Sequence, residues 1–355
     1  MRHGPFIPGR RDLPRPAGRS NIGQSLKGSS MTDKPRREAQ RVTPQKISEE
    51  FGVDLDRALK SIVTIASTIP EDAYTAQILG EQRTGSGVVI RESGLVLTIG
   101  YLITEAESVW IARQDGRVVP GHPLAIDQES GFGLVQALDR LDCPPLELGS
   151  SADAKVGDPA LVLAGGRTRA VHATIVAKHE FSGYWEYFLD EAIFTAPAHP
   201  FWGGAAALDR SGKVIGIGSL HVEQVVAGVG PREINMFVPI DLLPPILNDL
   251  MTYGRVNKAA RPWIGVYSAE SDGQVVVAAV AERGPAETAG LQRGDVVKSV
   301  KGEEVADLGD FYRKVWRCGS AGVEIPVEIR RDDRILDLRL ASTDRSTLLK
   351  RPKLQ

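Results

Sequence analysis

The chain has 355 residues, 42% of them hydrophobic and 25% charged, with a formal net charge of −2. That is the balance of a globular polypeptide with room for two compact domains. A charge this close to zero gives no electrostatic case for nucleic acid as a partner, and no apolar run approaches the ~18 residues of a membrane-spanning helix.

Residues 1–46 are rich in Arg, Lys, Pro, Gly and Ser and nearly empty of large apolar side chains, so they read as a disordered basic tail. A basic arm that touches phosphates is the alternative for the same charge. The tail lacks the apolar core of a secretory leader, and a start at Met31 supplies none, which points to a cytoplasmic protein. Thr43-Pro44 has the form of a helix start, and Ile47, Phe51, Leu55 and Leu59 recur every four residues, giving an amphipathic helix over 47–60. This helix packs on the following domain or serves oligomerisation.

From Ser61 to residue 256 the pattern is short strands divided by Gly, Pro and Asp turns, which means an all-β sandwich or barrel. Within it, residues 195–219 pack His199-Pro200, Phe201, Trp202 and the pair Gly203-Gly204 ahead of three alanines and the strand Val214-Ile215-Gly216-Ile217. Adjacent glycines before small residues mean that backbone closely approaches a ligand or another strand. Asp241 reads as the cap of a helix with Pro244-Pro245 in its first turn, an apolar face of Leu242, Leu243, Ile246, Leu247 and Leu250, and Gly254 at its end. Residues 257–261 form a linker. Residues 262–342 alternate short strands with two helical segments, and 343–355 are a C-terminal tail. Cys143 and Cys318 stand far apart, so buried thiols fit better than a disulfide framework, and no His/Cys/Asp/Glu spacing points to a metal site or cofactor.

Several of these stretches resemble the HtrA/DegP-like serine proteases. GSGVVI (85–90), TIGYLI (98–103), DQESGFGLVQAL (127–138), LGSSADAKVGDPALVLAGG (148–166) and MFVPIDLLPPILNDLMTYGRV (236–256) fall in family order. The stretch from Pro200 to Ile217 follows the family's Asn-Pro-Gly-Asn-Ser-Gly-Gly-Pro-Leu loop and Gly-x-Val-Ile-Gly-Ile strand. The resemblance implies a mostly β fold, a trypsin-like double β-barrel followed by a C-terminal α+β PDZ domain. By analogy it also offers a periplasmic location as the alternative to a cytoplasmic one, and a homo-oligomer such as a trimer, or a hetero-assembly with an active protease.

Matched residue by residue, the catalytic imidazole position is Tyr101, the carboxylate position Gly131 and the nucleophile position Gly203, while Phe201 stands on the oxyanion-hole glycine. Serine-protease chemistry needs a hydroxyl, an imidazole to take its proton and a carboxylate to orient that imidazole. None of the three is present. No Ser, Thr or Cys lies between Thr195 and Ser211, so shifting the match does not restore a nucleophile. A phenol with pKa near 10 is a poor base at neutral pH, and the Phe201 ring is expected to disfavour the oxyanion turn and fill the cleft. A relocated Ser130–His199 pair is the alternative, against His199 capping a turn or packing on Trp202. Cys143 lies on the wrong loop to replace the nucleophile.

The run Gly284-Pro285-Ala286-Glu287-x-Ala289-Gly290-Leu291-x-x-Gly294-Asp295-Val296-Val297 resembles the PDZ signature of the same family. By that resemblance Trp263-Ile264-Gly265-Val266 is the loop whose N–H groups hold a peptide's terminal carboxylate. Leu308, Phe311 and Val315 share one helical face opposite it, as groove lining or as core. The expectation is a protease homologue without proteolysis that binds peptide or protein C-termini through its PDZ domain. An active HtrA-type endopeptidase with a non-standard site and a structural assembly subunit are the alternatives.

Overall fold

The computed structural model describes residues 22–23, 51, 53–166, 169–226 and 230–351; of the expected disordered basic tail only Ile22–Gly23 are described, and they form a two-residue strand, while the rest lies outside the described residues. Two units emerge, residues 20–179 with 191–257, and residues 258–350 with 180–190.

In the first unit β1 (Ile22–Gly23) is followed by β2 (Ile62–Thr68), β3 (Gln82–Arg91), β4 (Leu95–Ile99), β5 (Ser108–Ala112), β6 (Val118–Ile126) and β7 (Phe132–Ala137). Strands β2 to β7 close into an antiparallel barrel in the order β2-β3-β4-β7-β6-β5. Next come β8 (Pro159–Leu163), β9 (Ala170–Gly183), β10 (Tyr187–Ala196), β11 (Ala206–Leu208), β12 (Val214–Val226) and β13 (Gly230–Pro239). These lie in the order β1-β12-β11-β8-β9-β10-β13, and a further β12–β13 pairing brings β8 to β13 round into a second ring. β4 and β8 are buried along their whole length; β8 is apolar throughout, and the one polar residue of β4, Thr98, donates its hydroxyl to the Ser86 carbonyl at 2.7 Å. The second ring is filled by small side chains: Ala160, Ala164, Ala173, Ala205 and Ala207 pack with Ile175, Ile193, Ile215 and Phe237. Of the three alanines after the glycine pair, Ala205 and Ala207 are therefore core of this ring, and Ala206 between them is buried as well.

Two local expectations change. The helix Leu55–Lys60 starts at Asp54, whose carboxylate accepts the Arg57 N–H at 3.0 Å, so Asp54 takes the capping role at this start. Phe51 and Leu55 of the apolar stripe are buried; residues 47–50 and Gly52 lie outside the described residues. The helix Pro244–Tyr253 has its prolines in the first turn and ends on left-handed Gly254. Asp241 does not cap it. That carboxylate instead accepts from the Ala152 N–H at 2.8 Å and the Ser150 hydroxyl at 3.1 Å, and Leu242 is exposed.

In the second unit β14 (Val266–Ser271), β15 (Gln274–Val280), β16 (Val296–Val300), β17 (Glu303–Glu304), β18 (Glu324–Arg331) and β19 (Arg334–Ala341) form one sheet. Its order is β14-β15-β16-β18-β19, with β17 on β16. The helix Leu308–Arg317 starts on Asp307, whose side chain accepts the Asp310 N–H. Its buried face of Leu308, Phe311, Tyr312 and Val315 packs into a core with Ile264, Val266, Val277, Ile325 and Leu340. Residues 180–190, the turn joining β9 to β10, belong to this unit, and Phe188 is part of its core. So does the segment just past 342, where Trp263 bridges to Thr343.

Candidate functional sites

Tyr101 lies in the 3-10 turn Gly100–Leu102 after β4, Gly131 in the turn before β7, and Gly203 in the turn before β11. The fold brings the three together. The Gly100 N–H donates to the Gly131 carbonyl at 2.7 Å, and Gly131 has φ +83°, a conformation that suits glycine. A Cβ placed on Gly203 would lie 2.6 Å from the Tyr101 hydroxyl. The phenol oxygen thus fills the space in which a side chain at position 203 would begin. Enclosure of that hydroxyl pushes its pKa well above the usual tyrosine value, so it does not act as a base at neutral pH.

The second glycine of the pair, Gly204, is explained by strand packing. The Ser86 N–H donates to the Gly203 carbonyl at 2.7 Å and the Gly204 N–H to the Gly218 carbonyl at 2.8 Å. A Cβ on Gly204, at φ +74°, would fall 1.9 Å from the Ser86 carbonyl oxygen. The close approach is to another strand.

Phe201 departs from expectation. Its ring is 45% exposed and lies near Gly166, so it does not fill the cleft. It is not among the residues with left-handed backbone, and its N–H donates to His199 Nδ1 at 3.0 Å. The oxyanion-hole donor expected here is thereby spent inside the loop. His199 is buried, caps that turn, and donates its own N–H to Asn235 Oδ1 at 2.5 Å. Trp202 lies against His221, with ring centroids 5.1 Å apart. The Ser130 hydroxyl accepts the Phe132 N–H at 3.2 Å, and the Ser130 N–H goes to Asp127 Oδ2 at 2.8 Å, an arrangement that shapes the turn holding Gly131.

Sequence reasoning missed a buried cation beside this site. Arg83 donates to the carbonyls of Tyr101 at 2.8 Å, Thr104 at 3.0 Å and Gly80 at 3.0 Å, and to the Thr75 hydroxyl at 2.8 Å. Burial lowers its pKa to about 10, partly offset by the charge of Glu105. Glu105, itself buried, accepts from the Thr75 N–H and hydroxyl, both at 2.7 Å. This network fixes the backbone of the Tyr101 turn. No signal in the sequence marks it, since Arg83 and Glu105 sit in unremarkable strand and turn positions.

The second unit holds the other set of expected site residues. Trp263, Ile264, Gly265 and Val266 lead into β14, with Gly265 at φ +78°. The main-chain N–H groups of Ile264, Gly265 and Val266 converge on one carboxylate, that of Glu186, at 3.1, 2.7 and 2.9 Å. The Ser268 N–H on β14 donates to the Tyr184 carbonyl at 2.9 Å. The Tyr312 hydroxyl donates to the Gly183 carbonyl at 2.8 Å and accepts the Glu186 N–H at 3.3 Å. Leu308, Phe311 and Val315 are buried together with Phe188. Burial raises the Glu186 pKa to about 7 against the opposing effect of its N–H donors and of Arg345. Glu186, at φ +58°, was not singled out from the sequence. Nothing in its neighbourhood there resembles a site, and its role depends on a contact across almost eighty residues. The signature's Asp295 is structural: it is 1% exposed, accepts the Gln292 N–H, and forms a two-bond pair with Arg331, both bonds at 2.7 Å.

With this geometry in hand the class is defined: a trypsin-like peptidase domain followed by a PDZ domain. The trypsin-like peptidase domain model matches residues 85–217 and the PDZ domain model residues 262–341. This domain pair supports an HtrA/DegP-like assignment. Among similar proteins is a probable periplasmic serine endoprotease, DegP-like, from Pseudomonas fluorescens, 27% identical over 267 residues, covering 71% of this chain and 54% of that one. Another is the putative serine protease HhoA of Synechocystis sp., 27% identical over 282 residues, covering 72% and 69%. The chain spans about half the length of the DegP-like relatives it matches. Among solved structures, the HtrA-type protease AlgW with a tripeptide matches at 22% identity and a TM-score of 0.51, over 85% of this chain and 98% of that one. That likeness is one of fold. Among the described residues no helix is long and apolar enough to cross a membrane.

Proposed function

We propose that this chain is a proteolytically inert HtrA-like protein that binds peptide or unfolded-protein segments through its PDZ domain, as an adaptor, regulator or chaperone. The observation that carries the reading is the Tyr101 hydroxyl, 2.6 Å from where a side chain on Gly203 would begin. Where the chemistry needs a nucleophile and its base, the chain offers a glycine and a phenol held protonated. Loss of a whole triad lowers turnover by about a million-fold. The loop N–H groups at 264–266, arranged around a carboxylate, support the peptide half of the reading. A homo-oligomer, or an assembly with an active protease, is part of the same proposal and is checked by light scattering on the purified chain.

The second reading, an active endopeptidase with a non-standard site, is favoured by the names of the relatives, which are proteases. A fluorophosphonate probe together with casein digestion separates the two. The expected result is no labelling and no digestion. Labelling that disappears when residues 195–219 are replaced would establish the enzyme. An array of peptides with free C-termini, probed with the full chain and with its Glu186→Ala variant, in which the loop N–H groups are released, tests the binding half; no saturable binder for either form ends the adaptor reading.

A further inference from the structure

A peptide that docks on a PDZ groove supplies a terminal carboxylate for the loop, an extended backbone for the edge strand and an apolar side chain for the pocket. Residues 180–190 supply all three from within the chain. The Glu186 carboxylate takes the loop's three N–H groups, the Tyr184 carbonyl takes the Ser268 N–H on edge strand β14, and Phe188 packs among Leu308, Phe311 and Val315. The fit is close: a Cβ on Gly309 would lie 2.9 Å from the Phe188 ring and 3.1 Å from the Ser182 hydroxyl. Arg313 adds a hold on each flank, stacking over the Phe188 ring at 4.7 Å and pairing with Glu180 at 3.2 Å.

The groove's recognition groups are therefore already satisfied. An ordinary buried carboxylate is paired with a cation or hydrogen-bonded by whatever lies near. This one is bound by consecutive main-chain N–H groups of a glycine-containing loop, an anion-binding arrangement. We propose that the 180–190 turn is a built-in ligand of the PDZ groove, with Glu186 standing in for a C-terminal carboxylate, so that outside peptides bind only in competition with it. This rests on the reading of the groove as a peptide site. The ligand class follows from the stand-in: an extended peptide ending in a free carboxylate, with an apolar side chain for the space Phe188 holds. Binding in such a system is weakened by the fraction of molecules whose groove is free.

The test uses the full chain and its Glu186→Ala and Glu186→Gln variants, with near-UV circular dichroism to confirm the fold. The first readout is hydrogen exchange at the amides of 264–266 and 268. The second is anisotropy with a fluorescent pool of random decapeptides bearing either free or amidated C-termini. Expected are faster exchange in Glu186→Ala and tighter binding of the free-carboxylate pool by about tenfold or more, with Glu186→Gln between the two and no gain for the amidated pool. If both forms bind the pool equally, the built-in ligand is refuted while the groove stands as a peptide site. If exchange quickens but neither form binds, the peptide reading of the groove fails and the competition with it. Unchanged exchange in Glu186→Ala refutes the contact itself. Should Glu186→Ala not fold, Tyr312→Phe, which releases the Gly183 carbonyl, is expected to move both readouts in the same direction by a smaller amount.

Discussion

Two adjacent glycines carry different constraints, and the difference is measurable. At Gly204 a methyl group meets the Ser86 carbonyl, a fixed backbone atom, from a left-handed φ of +74°. At Gly203 it meets only the tip of a side chain, the Tyr101 hydroxyl at 2.6 Å. Gly204→Ala is therefore expected to cost about 3 kcal/mol or more, and Gly203→Ala about 1–2 kcal/mol, in urea unfolding. Because the second clash is with one oxygen, Tyr101→Phe should relieve it. The Gly203→Ala penalty is expected to shrink by more than half in that background, a coupling that a double-mutant cycle reads directly. Equal penalties in the two backgrounds would mean that Tyr101 does not occupy that space. A third residue-scale expectation concerns Arg331. It is the cation paired with the buried Asp295 carboxylate, so Arg331→Ala is expected to lose about 3 kcal/mol, with part returned by adding Asp295→Asn.

At the scale of elements, the strands and the two longer helices were legible because burial imposes its period on them. The apolar run of β8, that of β4 broken only by Thr98, and the spacing of Leu308, Phe311 and Val315 need no partner to be recognised. The turn 180–190 was not legible. EFSGYWEYFLD carries no motif that singles it out, and the partner that gives Glu186, Tyr184 and Phe188 their meaning lies in a domain that begins some eighty residues later. The candidate protease site was half visible. The three positions proposed as triad equivalents could be matched by order along the chain, but the Phe201 ring was expected in a cleft, whereas its N–H is turned back on His199. On the proposed docking of the hairpin, a pH dependence is expected. Burial raises the Glu186 carboxyl from 4.5 to about 7 in the docked state. A group raised in this way favours the docked state most below its free pKa of about 4.5, where the carboxyl is protonated; that contribution is lost as pH climbs through about 7, where the three loop N–H groups and Arg345 offset only part of the cost of burying the carboxylate. The other charged or titratable groups acting on it are Arg345, which favours the carboxylate, and Tyr312, whose own pKa burial pushes above its usual value. Protection of the 264–266 amides, corrected for intrinsic exchange, is expected to fall by about tenfold or more from pH 5 to pH 8. Glu186→Gln should flatten that profile; a profile of the same slope in both forms would assign the titration to another group.

At the scale of the whole molecule, the proposed loss of the triad raises the question whether supplying those three residue types alone would confer catalysis. Tyr101→His, Gly131→Asp and Gly203→Ser would put back the three residue types, and replacing the tyrosine removes the oxygen that crowds position 203. Two obstacles remain. Asp at 131 must accept the +83° backbone that its glycine holds, a conformation Asp tolerates better than most residues. The second obstacle is larger. The tetrahedral intermediate needs main-chain donors aimed at its oxygen, and losing one such donor costs about 100- to 1,000-fold. The Phe201 N–H, which the family match assigns to that duty, is bonded to His199 Nδ1 and sits on a residue without left-handed backbone. The triple variant is therefore expected to show no casein hydrolysis and no fluorophosphonate labelling. Adding Phe201→Gly frees the turn to rotate that N–H toward the cleft, and the quadruple variant is expected to label measurably. Rapid hydrolysis by the triple variant would show that the oxyanion donors were in place all along and that only the side chains had been lost.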